Sequence, residues 1–247
     1  MLSDALRFMP QSDDWLATTA IGGILALVAT ALLFLSFVVP LLFFLSVPFV
    51  LVATALLQGY YVRSMRAAAD GTKEAPSFTD WGGLVVDGLK LLVVSFVWSF
   101  VVLIPMFVLP VVLEFGSAAT ESIPQSTTAA TQATNLGLGI VGVVGGLLII
   151  TLALFVSYVV PAAGANFAIE GNLGAGFHVR TILKGAFTSE YAIAWVLALL
   201  ILMVIGTVGN LLSIILVGFF ISFYAQVASF YLWGRGYADG LGRTSGW

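Results

Sequence analysis

The chain of 247 residues is 60% hydrophobic and 9% charged, with a mean hydropathy of +1.10, against the roughly one-quarter charged residues of a soluble domain. That composition excludes a soluble globular protein, and zero cysteines exclude disulfides, thiolate metal sites and a cysteine nucleophile. The net charge of −3 comes with three lysines among nine basic residues, which suits a halophile, and so few bases spread over four segments leave no nucleic-acid footprint.

The apolar runs exceed the ~20 residues that a helix needs to cross a ~30 Å hydrocarbon core, and they lack the period-2 alternation of a barrel strand. The chain therefore reads as an all-α polytopic membrane protein. A single membrane domain is expected over 1–247, with six spans near 15–38, 41–62, 84–113, 136–165, 191–207 and 210–233. Before the first span, Leu2–Met9 reads as a short amphipathic helix ended by Pro10. Asp4, Asp13 and Asp14 against one Arg7 do not resemble the basic start of a cleavable signal. Ser12, Asp13 and Asp14 are expected to cap the first span. Pro40 sits in an apolar stretch with no polar turn, which predicts a tight first hairpin. The second span leaves through Tyr60, Tyr61, Arg63 and Arg66, an aromatic-then-basic order expected at a membrane–water boundary.

The loop at 67–81 ends in Ser77-Phe78-Thr79-Asp80-Trp81, read as a helix start with an interfacial aromatic pair. The third helix is too long for its span, so its first turns, Leu84–Lys90, are expected to lie in the interface. Residues 115–135, rich in Ser, Thr and Ala around Pro124, read as a flexible loop open to O-glycosylation. The fourth span begins with Gly137, Gly139, Gly142, Gly145 and Gly146. Its G-x-G-x-x-G fragment has no preceding strand and is a decoy; Gly142 and Gly146 read as a close-packing pair. Val179, Ile182, Leu183, Ala186 and Phe187 follow helical spacing with His178, Thr181 and Lys184 turned away, which predicts an amphipathic helix lying on the membrane. The last two spans are expected to meet at Gly206–Gly209.

All nine Lys and Arg residues fall on the side that holds both termini in this arrangement, so the positive-inside rule predicts a multi-pass cell-membrane protein with both termini cytoplasmic. Three span exits share a pattern on that side: Arg66 through Asp70-Gly71, Asn166 through Glu170-Gly171, and Arg235 through Asp239-Gly240. Two loops repeat in parallel orientation, each with an acidic-Gly exit, a Phe-containing cap and a Leu-Lys end to an interfacial amphipathic segment. The run Gln58-Gly59-Tyr60 through Arg66, the Pro76–Trp81 cap and Asn166–Phe177 resemble an uncharacterised six-span family abundant in haloarchaea, a domain of unknown function. More distantly, the chain resembles the membrane domain attached to some glycerophosphodiester phosphodiesterases, whose chemistry resides in a separate soluble domain.

The candidate structural or partner-binding residues are Arg66, Asp70, Gly71, Asp80, Trp81, Glu170, Gly171, Arg235, Asp239 and Gly240, with the exit acids Asp70 and Asp239 expected to pair with Arg66 and Arg235 four residues earlier. Gln58, Asn210 and Gln226 are candidate intramembrane polar residues, as helix glue or as the lining of a path. No ionisable residue falls near the middle of any span, which disfavours coupled transport. The single His178 leaves a metal site or a Ser-His-Asp hydrolase without its ligands, so no catalytic, cofactor or metal residues are assigned. These features predict a non-catalytic scaffold that organises the lipid bilayer or a protein partner, with a homo-oligomer through the fourth span. The alternative is an uncoupled facilitator for a lipid or small neutral solute. An enzymatic site would have to assemble Asp70, Asp80, Glu170, His178 and Asp239.

Overall fold

A computed structural model describes residues 1–121 and 128–243, and among these it contains helices and turns and no strand. The helices are α1 (Leu2–Phe8), α2 (Trp15–Val38), α3 (Phe43–Ala69), α4 (Trp81–Glu121), α5 (Thr128–Glu170), α6 (Val179–Ala186), α7 (Ser189–Ile201), α8 (Thr207–Leu212) and α9 (Val217–Gly240). Six helical segments are long and apolar enough to cross a membrane, as expected for a polytopic all-α protein.

The segment boundaries differ from expectation at two places. The loop expected at 115–135 is largely helix, because α4 continues to Glu121 and α5 begins at Thr128; Pro124 lies outside the described residues. Alanine-rich sequence, with Gly116 as the one glycine between 115 and 135, carries the helix on where a hydropathy reading stops it. The turn expected at Gly206–Gly209 occurs instead at Ser213–Leu216. There the chain passes through a 3-10 turn and Leu216 takes φ 65°. Gly206 closes a π-helical turn at Leu202–Gly206, and Gly209 continues the helix because it is a packing residue: a Cβ there would lie 2.4 Å from Ser222 Oγ.

The chain divides into two compact units, Met1–Ser95 with Val159–Trp247, and Phe96–Tyr158. In the second unit, the α4 and α5 segments pack leucine against glycine: Leu109 on Gly145 and Leu113 on Gly142. A Cβ added at Gly146, expected to pair with Gly142, would meet nothing within 4 Å among the described residues, and the same holds at Gly137 and Gly139.

In the first unit α9 is the hub, packing against α1, α2, α3, α6, α7 and α8. Its most apolar window is 56% buried, against at most 22% for the other five candidate spans, and it has the lowest mean hydropathy of the six. A helix surrounded by protein needs small side chains more than lipid-soluble ones. Thus a Cβ at Gly234 would lie 2.5 Å from Met65 O of α3, and one at Gly236 would lie 2.3 Å from Ala194 Cβ of α7. Tyr60 and Tyr61, read from sequence as boundary aromatics, are instead core residues. Tyr60 stacks on Phe78 with ring centroids 4.4 Å apart, and Tyr61 stacks on Phe230 at 4.5 Å. Of the expected interfacial pair, Phe78 is buried and only Trp81 is exposed. Helix α1 buries Ala5 and Phe8, with Phe8 against Tyr231 at 4.5 Å, and Tyr224 Oη donates to Leu6 O.

Candidate functional site

The polar features of the described chain concentrate in the first unit, where all nine Lys and Arg residues lie. They gather where α3, α5 and α9 end. Each of these helices stops on a glycine of positive φ: Gly71 at 78°, Gly171 at 71° and Gly242 at 65°. At α3 the amides of Gly71 and Thr72 donate to Ala68 O and Ala67 O, and at α9 those of Gly242 and Arg243 donate to Asp239 O and Ala238 O. Both are Schellman caps; α5 closes more simply, with Gly171 N donating to Phe167 O. The repeat therefore holds at Gly71 and Gly171 and slips by two residues at the third exit. Gly240 remains helical, where a Cβ would lie 2.1 Å from Thr188 Oγ1. Replacing Gly71 by alanine should cost about 1 kcal/mol from backbone strain alone, since its Cβ would meet only Arg235 Nη1 at an ordinary 3.4 Å. A thermal-unfolding midpoint unchanged from wild type would contradict that.

Arginines connect these ends. Arg66 Nε donates to Ala168 O at 2.9 Å, satisfying a carbonyl left over at the C-terminal turn of α5, and its Nη2 reaches Asp87 Oδ2 of α4 at 3.5 Å. The residue thus ties α3, α4 and α5 together, and the i, i+4 pairing expected with Asp70 does not form. Asp70 is exposed and makes no ion pair among the described residues. Arg235 does pair four residues on, with Asp239 at 3.2 Å and both side chains largely buried. Arg243 pairs with Glu170, joining the ends of α9 and α5. Arg63 donates to Thr79 O, to Asp80 O and to Asp80 Oδ2, while Asp80 Oδ1 accepts from Gly83 N and caps α4. Asp4 is held below the usual carboxylate range, first by its hydrogen bond from the Met1 amine and more weakly by Arg235.

Arg66 and Glu170 therefore connect helix ends, whereas Arg235 and Asp239 pair within α9. Trp81 stays exposed beside Phe78, and His178 is an exposed residue at the start of α6. Asp80, Glu170 and Asp239 are engaged by three different arginines, and no group of three or more His, Asp or Glu among the described residues is placed to hold a metal ion. Gln58 and Gln226 are partly buried and Asn210 is exposed, and no side-chain hydrogen bond links them to each other or to a neighbour among the described residues. Asn166, which sequence reasoning noted only as part of an exit, is buried and donates from Nδ2 to Ala175 O at 2.8 Å, pinning the turn at Leu173–Phe177.

Helix α6 is anchored on one face and open on another. Ile182, Gly185 and Ala186 are buried, with Tyr237 of α9 against Gly185 and its hydroxyl donating to Thr181 O. Val179 and Phe187 are 50% and 69% exposed, next to exposed Arg180 and Lys184.

No curated protein and no solved structure matches the chain. A family described as a protein of unknown function (DUF4013) matches residues 41–214, more than half of the sequence, and the chain belongs to that family.

Proposed function

We propose that this is a non-catalytic multi-pass protein of the cell membrane, with both termini cytoplasmic, whose charged exit face holds anionic lipid or a membrane-bound partner in place. The observation that carries this reading is α6, held to α9 by Tyr237 against Gly185 and Thr181 O, with Ile182 and Ala186 buried, while Val179, Phe187, Arg180 and Lys184 are exposed. A rigidly held helix that offers an apolar edge beside two bases is suited to the headgroup layer of an anionic bilayer, as an amphipathic interfacial helix. The confinement of all nine bases to one unit supports the cytoplasmic assignment of that face. The acidic balance with three lysines agrees with the haloarchaeal family that the sequence resembles. The open glycines Gly137, Gly139 and Gly146 leave room on α5 for lipid or for a second copy.

Each base near an anionic surface contributes about 1 kcal/mol, so Arg180→Gln with Lys184→Gln should lower retention of anionic lipid at least tenfold. The readout is native mass spectrometry of protein released from phosphatidylglycerol-containing nanodiscs. Unchanged retention, or turnover of a lipid by the purified protein, would remove the proposal.

A further inference from the structure

A cleft of about 360 Å³ lies between the segment that leads into α2 and the loop that follows α3. Its polar lining is Ser12, Asp13, Asp14, Thr72, Glu74 and Ser77. The walls are fixed to each other: Ala75 N donates to Phe8 O at 3.0 Å, and Ser77 Oγ donates to Asp14 Oδ2 at 2.9 Å. Asp14 occupies the N-cap position of α2 but makes no side-chain cap, because its carboxylate is turned to Ser77.

Three carboxylates face this space, and none of them is in an ion pair among the described residues. Ser12 is a second and independent sign of a site. It is only 7% exposed and lines the cleft, yet its hydroxyl has no hydrogen-bond partner among the described residues. Among the described residues the fully enclosed unpartnered side-chain atoms belong to Tyr60, Asn166, Ser222 and Trp233, so Ser12 Oγ, in a residue that lines the cleft, keeps some accessible surface.

The spacing of these groups decides the ligand class. No three acids among the described residues sit close enough to hold a metal ion. A polyatomic cation spans wider separations and brings its own N–H donors. An ammonium group has three donors and no acceptor, which matches a lining of carboxylates and hydroxyl oxygens. Ala67, Ala75 and Pro76 supply the apolar wall that an alkyl chain needs.

We propose that this cleft binds an organic primary ammonium group, with Asp13, Asp14 and Glu74 as its counter-charges and Ser12 Oγ as a neutral acceptor. The amine has two sources, a soluble polyamine or an ethanolamine lipid headgroup, the latter because the cleft adjoins the first residues of a membrane-length helix. The site does not depend on the role assigned to α6.

The test uses the full chain in nanodiscs and follows its thermal-unfolding midpoint. With phosphatidylcholine nanodiscs, spermidine added at constant ionic strength should raise the midpoint, and Glu74→Gln with Ser12→Ala should weaken the apparent affinity at least tenfold. If exchanging phosphatidylcholine for phosphatidylethanolamine raises the midpoint and spermidine does not, the headgroup is the source, provided that the same variants abolish the rise. Asp70→Asn, an exposed acid outside the cleft, should leave either response intact. The proposal is overturned if neither amine shifts the midpoint, if NaCl at matched ionic strength does as much, or if Asp70→Asn weakens the response as strongly as the cleft variants do.

Discussion

Replacing Gly88 by alanine is expected to destabilise the protein by about 3 kcal/mol, whereas the same change at Gly82 of the same helix is neutral or slightly stabilising. Alanine is the better helix former by about 1 kcal/mol, so propensity alone predicts a gain at both positions. Space separates them. A Cβ at Gly82 meets nothing within 4 Å, but one at Gly88 would lie 1.7 Å from Ala55 O, and one at Gly59 would lie 1.9 Å from Leu84 O. Both obstacles are main-chain oxygens, which no rotamer change can move, so α3 and α4 would have to separate. Helices in lipid gain little from hydrophobic burial against each other and depend on close van der Waals contact, so the separation is not compensated. Gly59→Ala should have a similar effect, and the double variant should lose less than the sum, because both residues serve one contact. Unfolding of the purified variants in a denaturing-detergent titration gives the comparison. Equal midpoints for Gly88→Ala and Gly82→Ala would mean that the two backbones do not meet there.

That contact also marks where sequence reading stops. Membrane-length helices are legible because bilayer thickness sets the length of an apolar run, and the described residues hold six of them. Glycines carry no such ruler. Gly59 and Gly88 look no different from Gly82 in the sequence, since what distinguishes them is the helix on the other side. Charges behave likewise. The i, i+4 rule finds Arg235 and Asp239, which share a helix, and fails for Arg66, whose better acceptor is a helix-end carbonyl 102 residues away. Tyr60 and Tyr61 obey the composition of a membrane boundary, but the folding-in of Phe78 and α9 makes them core. The acidic cleft draws on residues 12–14 and 72–77, and its one local sign is a cap position, Asp14, that makes no cap. The Gly71 and Gly171 caps are legible because a C-terminal glycine is a local backbone requirement.

Arg63→Met is the other substitution with a large expected effect, about 3 kcal/mol, from the loss of charge-assisted hydrogen bonds to main-chain oxygens. Its ion pair with Asp80 is the visible interaction, at 2.9 Å, but Asp80's side chain is 72% exposed and such a pair is worth little in water. The Arg63 side chain is only 17% exposed, and its guanidinium also donates to Thr79 O and Asp80 O, holding the loop just where Asp80 adopts the left-handed φ of 49°. Removing the side chain frees that strained backbone and leaves two carbonyls without their donor. Asp80→Asn keeps an acceptor for Gly83 N, so it should cost under about 1 kcal/mol. Arg63→Lys should not rescue, since one ammonium cannot reproduce the fork that reaches three oxygens. Loop release has its own readout, because Lys73 is the one basic residue between Asp70 and Trp81. Trypsin should cut after Lys73 faster in Arg63→Met and Arg63→Lys than in wild type or Asp80→Asn. If Asp80→Asn instead opens the loop as fully as Arg63→Met, the exposed ion pair and not the main-chain bonds holds α3 to the start of α4.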